Sequence, residues 1–404
     1  TATDMSVSTS EGSSVTETFD ASDPDGDTLT YSIASGASNG DVTISGDSFT
    51  YAPNGGFSGS DSFIYRASDG QASDTATVQL SVQPSLTSGW QFQAPGRLQH
   101  SDPEVGPTRV FVGGLDDTLV AHYRVNGTEA WTFHRSGSLA DSSPAYHSGS
   151  VYVGSGGGTL YSLDAATGSV EWTHTTDSAI VSSPVVSDGT VYVGSNDGTV
   201  MAIDAATGTE LWTKNLSASV FSTPAVGGGS VYLTTDDGRL VSLDADVGVK
   251  LWEQDVGSEL GHTSPTYASG TVYVASDAIH AVDAADGSLQ WDRAYGGQTA
   301  AAPTVVDGTL YIAAQNGSVT ARDPSTGAVT WRHDLGQPIT SAPTITATSV
   351  VVADADGDAL VLDRASGNVV ALHRLGVSAA PSWSVVDGTV YIGAGETVAQ
   401  LGMP

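Results

Sequence analysis

The chain has 404 residues and carries only 13 Lys and Arg against 45 Asp and Glu, a formal charge of −32. So acidic a surface repels nucleic acid and anionic membranes, which excludes both as partners, and concentrated salt would screen its self-repulsion. There is no cysteine, so disulfide staples and thiolate chemistry are excluded, and no apolar run approaches the roughly 20 residues of a membrane span, which excludes direct membrane insertion. A hydrophobic share of 39% suits β domains with thin cores, and the length calls for two or more of them. The charge reads as that of a halophilic organism's protein, with an archaeal extracellular or cell-surface protein as the expected setting.

Residues 4–84 alternate with a period of two. Short apolar runs at 15–19, 29–33, 41–44, 48–51, 61–67 and 75–82 are separated by turn signals such as Asn39-Gly40, Ser45-Gly46-Asp47 and Ser68-Asp69-Gly70. This rhythm predicts a small β-sandwich with Phe19, Leu29, Tyr31, Ile33, Val42, Ile44, Phe49, Phe57, Phe63, Tyr65, Val78, Leu80 and Val82 as its core. The segment Asp23-Pro24-Asp25-Gly26-Asp27 places three carboxylates at alternate positions around a glycine. Such a turn can gather hard oxygen ligands, and Asp61 and Asp69 are candidates to approach it, making a candidate calcium site. The competing reading is a solvated turn whose carboxylates accept backbone amides.

Ala21 to Asp27 followed by Leu29-Thr30-Tyr31, and Phe49-Thr50-Tyr51-Ala52-Pro53 through Phe57 to Tyr65 and Ser68-Asp69-Gly70, give the unit a family likeness. It resembles the cadherin-like tandem repeat domains of bacterial and archaeal surface adhesins. That resemblance implies an immunoglobulin-like fold and calcium bound at domain ends.

After a short linker at residues 83–88 one sentence repeats. It consists of Ser-x-Pro, a valine run ending in Tyr-Val-Gly, a polar turn, then Leu-Asp-Ala-Ala-Thr-Gly and Trp. Trp90, Trp131, Trp172, Trp212, Trp252, Trp291 and Trp331 fall 41, 41, 40, 40, 39 and 40 residues apart, and the next step lands on Ala371 in a copy that lacks the ring. A period near 40 with four short strands per copy means propeller blades, eight of them. In each, an inner strand follows the proline, Phe111, Tyr152, Tyr192, Tyr232, Tyr273, Tyr311, Val351 and Tyr391 mark second strands, and the tryptophans wedge adjacent blades together as structural residues. Asp164, Asp204, Asp244, Asp283, Asp323 and Asp363 cap the following turns, whose glycines permit positive φ. The last copy ends one strand short, while the strand around Trp90 has no blade in front of it. Pairing residues 88–92 with residues 397–401 removes that open edge.

The fold class expected is therefore all-β. A cadherin-like or Ig-like sandwich at 1–84 precedes an eight-bladed propeller at 85–404, closed by an N-terminal strand.

The unit Ala-x-Asp-Ala-x-Thr-Gly-x-x-x-Trp resembles the PQQ-like repeat of quinoprotein dehydrogenases, which non-enzymatic propellers that scaffold outer-membrane protein assembly share. In the enzymes the resemblance implies a vicinal cysteine pair, a calcium and a quinone in the channel; this chain has no cysteine, and its copies lack long insertions. No PQQ is expected. The pairs ahead of the inner-strand prolines, Ser101-Asp102, Ser142-Ser143, Ser182-Ser183, Ser222-Thr223, Thr263-Ser264, Ala301-Ala302 and Ser341-Ala342, suit a watery pore without a general base. Trp383 stands where the eighth proline would be. His100 and His262 fall in blades opposite one another, too far apart to share a metal. No catalytic residue is assigned. The function read from the sequence is a non-catalytic surface module that binds a protein or glycan or takes part in self-assembly; the alternative is a quinone-dependent or related oxidoreductase using the channel.

Overall fold

The computed structural model describes the chain apart from residues 56, 84–86, 94–100, 115–116, 136, 140, 258–262, 277, 296–301, 340–341, 356–357, 375–381, 387–388, 395–396 and 403–404. It divides into two compact units, with the boundary in sequence at Thr87 and Ser88.

The first unit holds seven strands: β1 (Met5–Ser10), β2 (Val15–Thr18), β3 (Thr30–Ser35), β4 (Gly40–Ser45), β5 (Ser48–Pro53), β6 (Gly59–Ser68) and β7 (Ser73–Gln83). They form two sheets, β1-β7-β6-β3 and β2-β5-β4, with β1 parallel to β7 and the remaining pairs antiparallel. Strict alternation drives the sandwich: Asp61, Phe63, Tyr65 and Ala67 of β6 turn inward, as do Ala76, Val78, Leu80 and Val82 of β7. Phe19 packs between Tyr31, Phe49 and Tyr65, with ring centroids 4.6–5.1 Å apart. The Tyr65 hydroxyl donates toward the Thr3 and Asp20 carbonyls at 2.9 and 2.6 Å, tying the first segment to the core. Tyr51, absent from the expected core, is fully buried because β5 alternates it inward with Phe49.

The second unit is the propeller, opened by β8 (Thr87–Gln93). Blade 3 shows the pattern: inner strand Val185–Ser187, then Thr190–Gly194, Thr199–Asp204 and outer strand Glu210–Asn215, all antiparallel. Among the described residues eight such four-stranded sheets occur. Their inner strands touch in an unbroken circle from blade 1 to blade 8 and back to blade 1. The eighth sheet runs Ser382–Val386, Thr389–Ala394, Thr397–Gly402 and then β8, so the N-terminal strand does complete the last blade.

At seven seams between blades a tryptophan N–H donates to one backbone carbonyl of the next blade; blade 7 has Ala371 in place of the tryptophan. The Trp172 indole N–H of blade 2 donates to the Ala205 carbonyl of blade 3 at 3.0 Å, and the Tyr152 hydroxyl donates to the same oxygen at 3.0 Å. Trp212 and Tyr192 repeat this on Ala245, Trp252 and Tyr232 on Ala284, and Trp291 and Tyr273 on Pro324. Trp131 donates to Ala165 and Trp331 to Arg364. The tryptophan face lies on the glycine three residues beyond that carbonyl. A β-carbon on Gly208, at φ +71°, would come within 2.7 Å of Trp172, so glycine is required there for backbone shape and for space. At the closure, Trp90 donates to the Arg124 carbonyl of blade 1 at 2.7 Å, and Arg124 Nε donates to the Tyr391 hydroxyl at 3.0 Å. The closing strand thus brings the same tryptophan bond, while Tyr391 accepts from the Arg124 side chain instead of donating to its carbonyl.

Deleting residues 1–86 is expected to leave the propeller's melting temperature unchanged. Deleting residues 1–93 removes the ladder and Trp90 and is expected to cost about 3–5 kcal/mol. Thermal denaturation of the two truncations reads the difference, and equal melting temperatures would contradict the closure.

Candidate functional site

The Ser-x-Pro segments bring each inner strand to the ring's centre. Proline has no N–H for the ladder, and side-chain hydroxyls take over the bonding between blades. Ser101, Ser142 and Ser182 donate to the carbonyls of Ser142, Ser182 and Ser222 at 3.5, 3.3 and 2.8 Å. The next residue in each segment works the same seam. Ser143 Oγ accepts the Asp102 N–H at 2.9 Å, and Ser183 Oγ accepts that of Ser143 at 2.9 Å. This corrects the expectation of a hydroxyl-lined pore for the first residue of each pair: Ser101, Ser142, Ser182 and Ser222 are 0–1% exposed, while Ser143, Ser183, Thr223 and Ser264 stay partly exposed.

A cavity of about 310 Å³ lies against the inner strands, lined by Asp102, Thr304, Val306, Ala342, Pro343, Thr344 and Ile345. Thr304 Oγ1 donates to the Pro343 carbonyl at 3.1 Å, so that hydroxyl also serves the seam. Asp102 is the one carboxylate of the lining. It does have an acidic neighbour, which the sequence reading missed. Glu104, on the blade 1 inner strand, accepts the Tyr146 N–H of blade 2 at 2.9 Å. Burial pushes its carboxyl above the usual range, outweighing the amides of Tyr146 and Val105, and Asp102 adds like charge. The signal available was an acid one residue past the proline, where other copies carry Ala, Val or Thr. His100, His262, Ala301, Ser341 and the Trp383 side chain lie outside the described residues.

In the first unit the five aspartates do not converge. Among the described residues no group of three or more acidic or histidine side chains is set to hold a metal ion. Each of three carboxylates serves its own surroundings. Asp23 Oδ1 accepts the N–H groups of Asp25 and Asp27 at 2.9 and 3.2 Å, while Asp69 Oδ1 accepts those of Gln71 and Ala72 at 2.6 Å. Asp61, buried, accepts the amides of Ser38, Asn39 and Ser62 and the Tyr51 hydroxyl, at 2.8–3.0 Å. Burial alone would raise its carboxyl, but those four donors outweigh it and hold it below the usual range. Asp61 is a strut between β6 and the turn before β4. The five residues do not fit a shared calcium.

An Ig-like sandwich followed by a ring of eight four-stranded blades is the class of protein this fold defines. Residues 85–179, 120–215, 178–294 and 275–401 match the family described as outer membrane protein assembly factor BamB, and the chain belongs to that family. Residues 1–81 match the family described as bacterial Ig domain, so the first unit is Ig-like. No curated protein matches the chain. Among solved structures, BamB from Moraxella catarrhalis is 20% identical with a TM-score of 0.65, covering 79% of this chain and all of that one. The computationally designed Ika8 protein has a TM-score of 0.68 at 20% identity, covering 77% of this chain and all of that one. A europium-containing methanol dehydrogenase has a TM-score of 0.65 at 14% identity, covering 77% of this chain and 85% of that one. At these identities the likenesses establish the fold and do not separate scaffold from enzyme.

Two outcomes are expected. Because Glu104 binds its proton more tightly when folded, its contribution to stability is complete in acid and is lost as pH rises through its elevated pKa. Glu104→Gln keeps the acceptor for Tyr146 and is expected to match wild type near about pH 4 while melting higher near about pH 8. Thermal melts across pH check this, and a variant less stable at the higher pH would contradict it. Chelator and millimolar calcium are each expected to leave the sandwich transition unchanged, whereas Asp61→Ala lowers it by about 3 kcal/mol. Calorimetry showing a calcium-dependent shift would overturn the reading of these carboxylates.

Proposed function

We propose that the protein is a non-catalytic recognition or assembly module at the surface of a halophilic, archaeal-type cell. In this reading the propeller presents its faces to a protein or glycan, and the cadherin-like sandwich serves as spacer or self-assembly contact. The observation that carries it is the use of the channel side chains: the hydroxyls of Ser101, Ser142, Ser182 and Thr304 are engaged in holding neighbouring blades, which leaves the cavity with one lining carboxylate. Family membership supports the reading, since the family is described by an assembly factor. No helix among the described residues is long and apolar enough to cross a membrane. The net charge of −32 supports a setting in concentrated salt, where carboxylate repulsion is screened.

The channel cavity is the observation that favours the alternative, a quinone-dependent or related oxidoreductase. Its lining, one carboxylate among Thr, Val, Ile, Ala and Pro, does not fit a calcium and quinone pair, which needs several oxygen donors in one place.

The reading predicts that the full chain, immobilised in molar salt, captures a defined cell-envelope protein or glycan, and that no quinone-linked alcohol oxidation appears on adding PQQ and calcium. Capture of nothing, together with such oxidation, would reverse it. The melting temperature is expected to climb as sodium chloride rises from about 0.1 to 3 M, with potassium chloride equivalent. A flat profile would remove the halophilic setting.

A further inference from the structure

In a repeat, a residue that departs from its copies at a position facing a seam marks something the other seams do not do. The residue before the aspartate that ends the third strand is Leu163, Ile203, Leu243, Val282 and Leu362 in blades 2, 3, 4, 5 and 7, each buried or nearly so. In blade 1 it is His122 and in blade 6 Arg322, each 5% exposed and each bonded to the carbonyl of its turn glycine, Gly127 or Gly327; only the arginine brings a fixed charge. Arg322 Nε donates to Thr320 Oγ1 at 3.2 Å and one terminal nitrogen donates to the Gly327 carbonyl at 3.1 Å; among the described residues no carboxylate pairs with it. Across the seam, the residue two past the blade 5 tryptophan is Arg293, where blades 1 and 8 carry Phe133 and Phe92 and blades 2, 3, 4 and 6 carry His174, Lys214, Gln254 and His333. Arg293 packs on the same turn. A β-carbon on Gly327 would come within 2.7 Å of its Cγ, and its guanidinium lies 5.9 Å from the Trp291 ring centre. Arg332, cross-strand from Thr320, stands beside them with its charge matched by Asp334 at 2.7 Å. Arg293 and Arg332 are exposed.

Three of the chain's eleven arginines therefore meet at one seam of a protein that has 45 carboxylates available to pair with them. Burial and the charges of Arg332 and Arg293 all disfavour the Arg322 cation. The fold does not require it, since aliphatic side chains fill this position in five other blades. A buried guanidinium with no carboxylate partner among the described residues is explained by a counter-ion that arrives from outside.

We propose that the seam between blades 5 and 6 is an oxyanion-binding site, in which Arg322 at its base and Arg293 and Arg332 at its mouth hold a sulfate or phosphate group. The planar forks of the arginines suit two-point contact with such oxygens. The proposal goes beyond the scaffold reading and does not depend on it.

The test uses the full chain at constant ionic strength, with chloride replaced stepwise by inorganic sulfate, inorganic phosphate or acetate, and melting temperature and titration calorimetry as readouts. Wild type is expected to show a saturable rise and measurable heat with sulfate or phosphate and neither with acetate; which of the two saturates at lower concentration names the group. Arg322→Leu, which installs the residue of blades 2, 4 and 7, is expected to be at least as stable as wild type in chloride and to lose the saturable rise. Arg293→Gln, at an exposed position, is expected to weaken binding about tenfold with its melt in chloride unchanged. A rise that stays linear and equal in wild type and both variants is salting-out of the whole protein and overturns the proposal. So does an Arg322→Leu protein that is markedly less stable than wild type in chloride, since the arginine would then be a structural strut.

Discussion

The second unit depends on a shared acceptor. At four successive seams, from blade 2 to blade 6, a backbone carbonyl just past the third strand receives an indole N–H and a phenol O–H from the blade before it, as Ala205 does from Trp172 and Tyr152. A carbonyl oxygen has two lone pairs, so two donors satisfy it fully. Because the residue lies in a turn, its oxygen is not used by the sheet and is free to be the neighbour's anchor. The aspartate before it, holding the turn by its carboxylate, and the glycine after it, leaving room for the indole, exist to present that oxygen. In blade 3 these are Asp204, which accepts the Thr207 N–H at 2.8 Å, and Gly208. A motif that looks like a signature for chemistry is a hinge pin between sheets.

The same constraint explains how the ring ends. A linear chain of clamped blades leaves one tryptophan and one acceptor without partners, and the two ends meet these needs together. β8 contributes Trp90 to blade 8, and blade 1 contributes the Arg124 carbonyl. Tyr391, Val398, Val110 and Val112 then form a common core across the junction. The interior hydroxyls continue the theme at the ring's centre, where serines ahead of proline supply the bonds that proline cannot. Stability and a shaped surface are thereby assigned to the repeated residues, and selectivity falls to the positions where the copies differ.

Much of this was readable in the sequence because identical copies average out local ambiguity. The tryptophan spacing, the strand order within a blade and the missing last strand all follow from comparing the copies with one another. The sandwich was readable from its period of two. What could not be read was the burial of polar groups. Asp61 and Asp23 are the same residue type near turns, yet one is a buried strut with four donors and the other caps an exposed turn. Ser142 and Ser143 are adjacent, yet only the first is buried. Arg322 and Glu104 were visible as departures from the consensus, but their meaning depends on which residue the neighbouring blade brings opposite, which is a property of the closed ring.

The central claim, that one carbonyl with two donors joins the neighbouring blades from the second to the sixth, is tested most directly by a double-mutant cycle on Tyr152→Phe and Trp172→Phe. Either variant alone leaves the Ala205 carbonyl one donor, whereas the pair leaves it buried with none. The account predicts that the double variant loses about 1–2 kcal/mol more than the two single losses added together. Additive losses would show that the tryptophan and tyrosine act independently, as packing, and would contradict the shared acceptor.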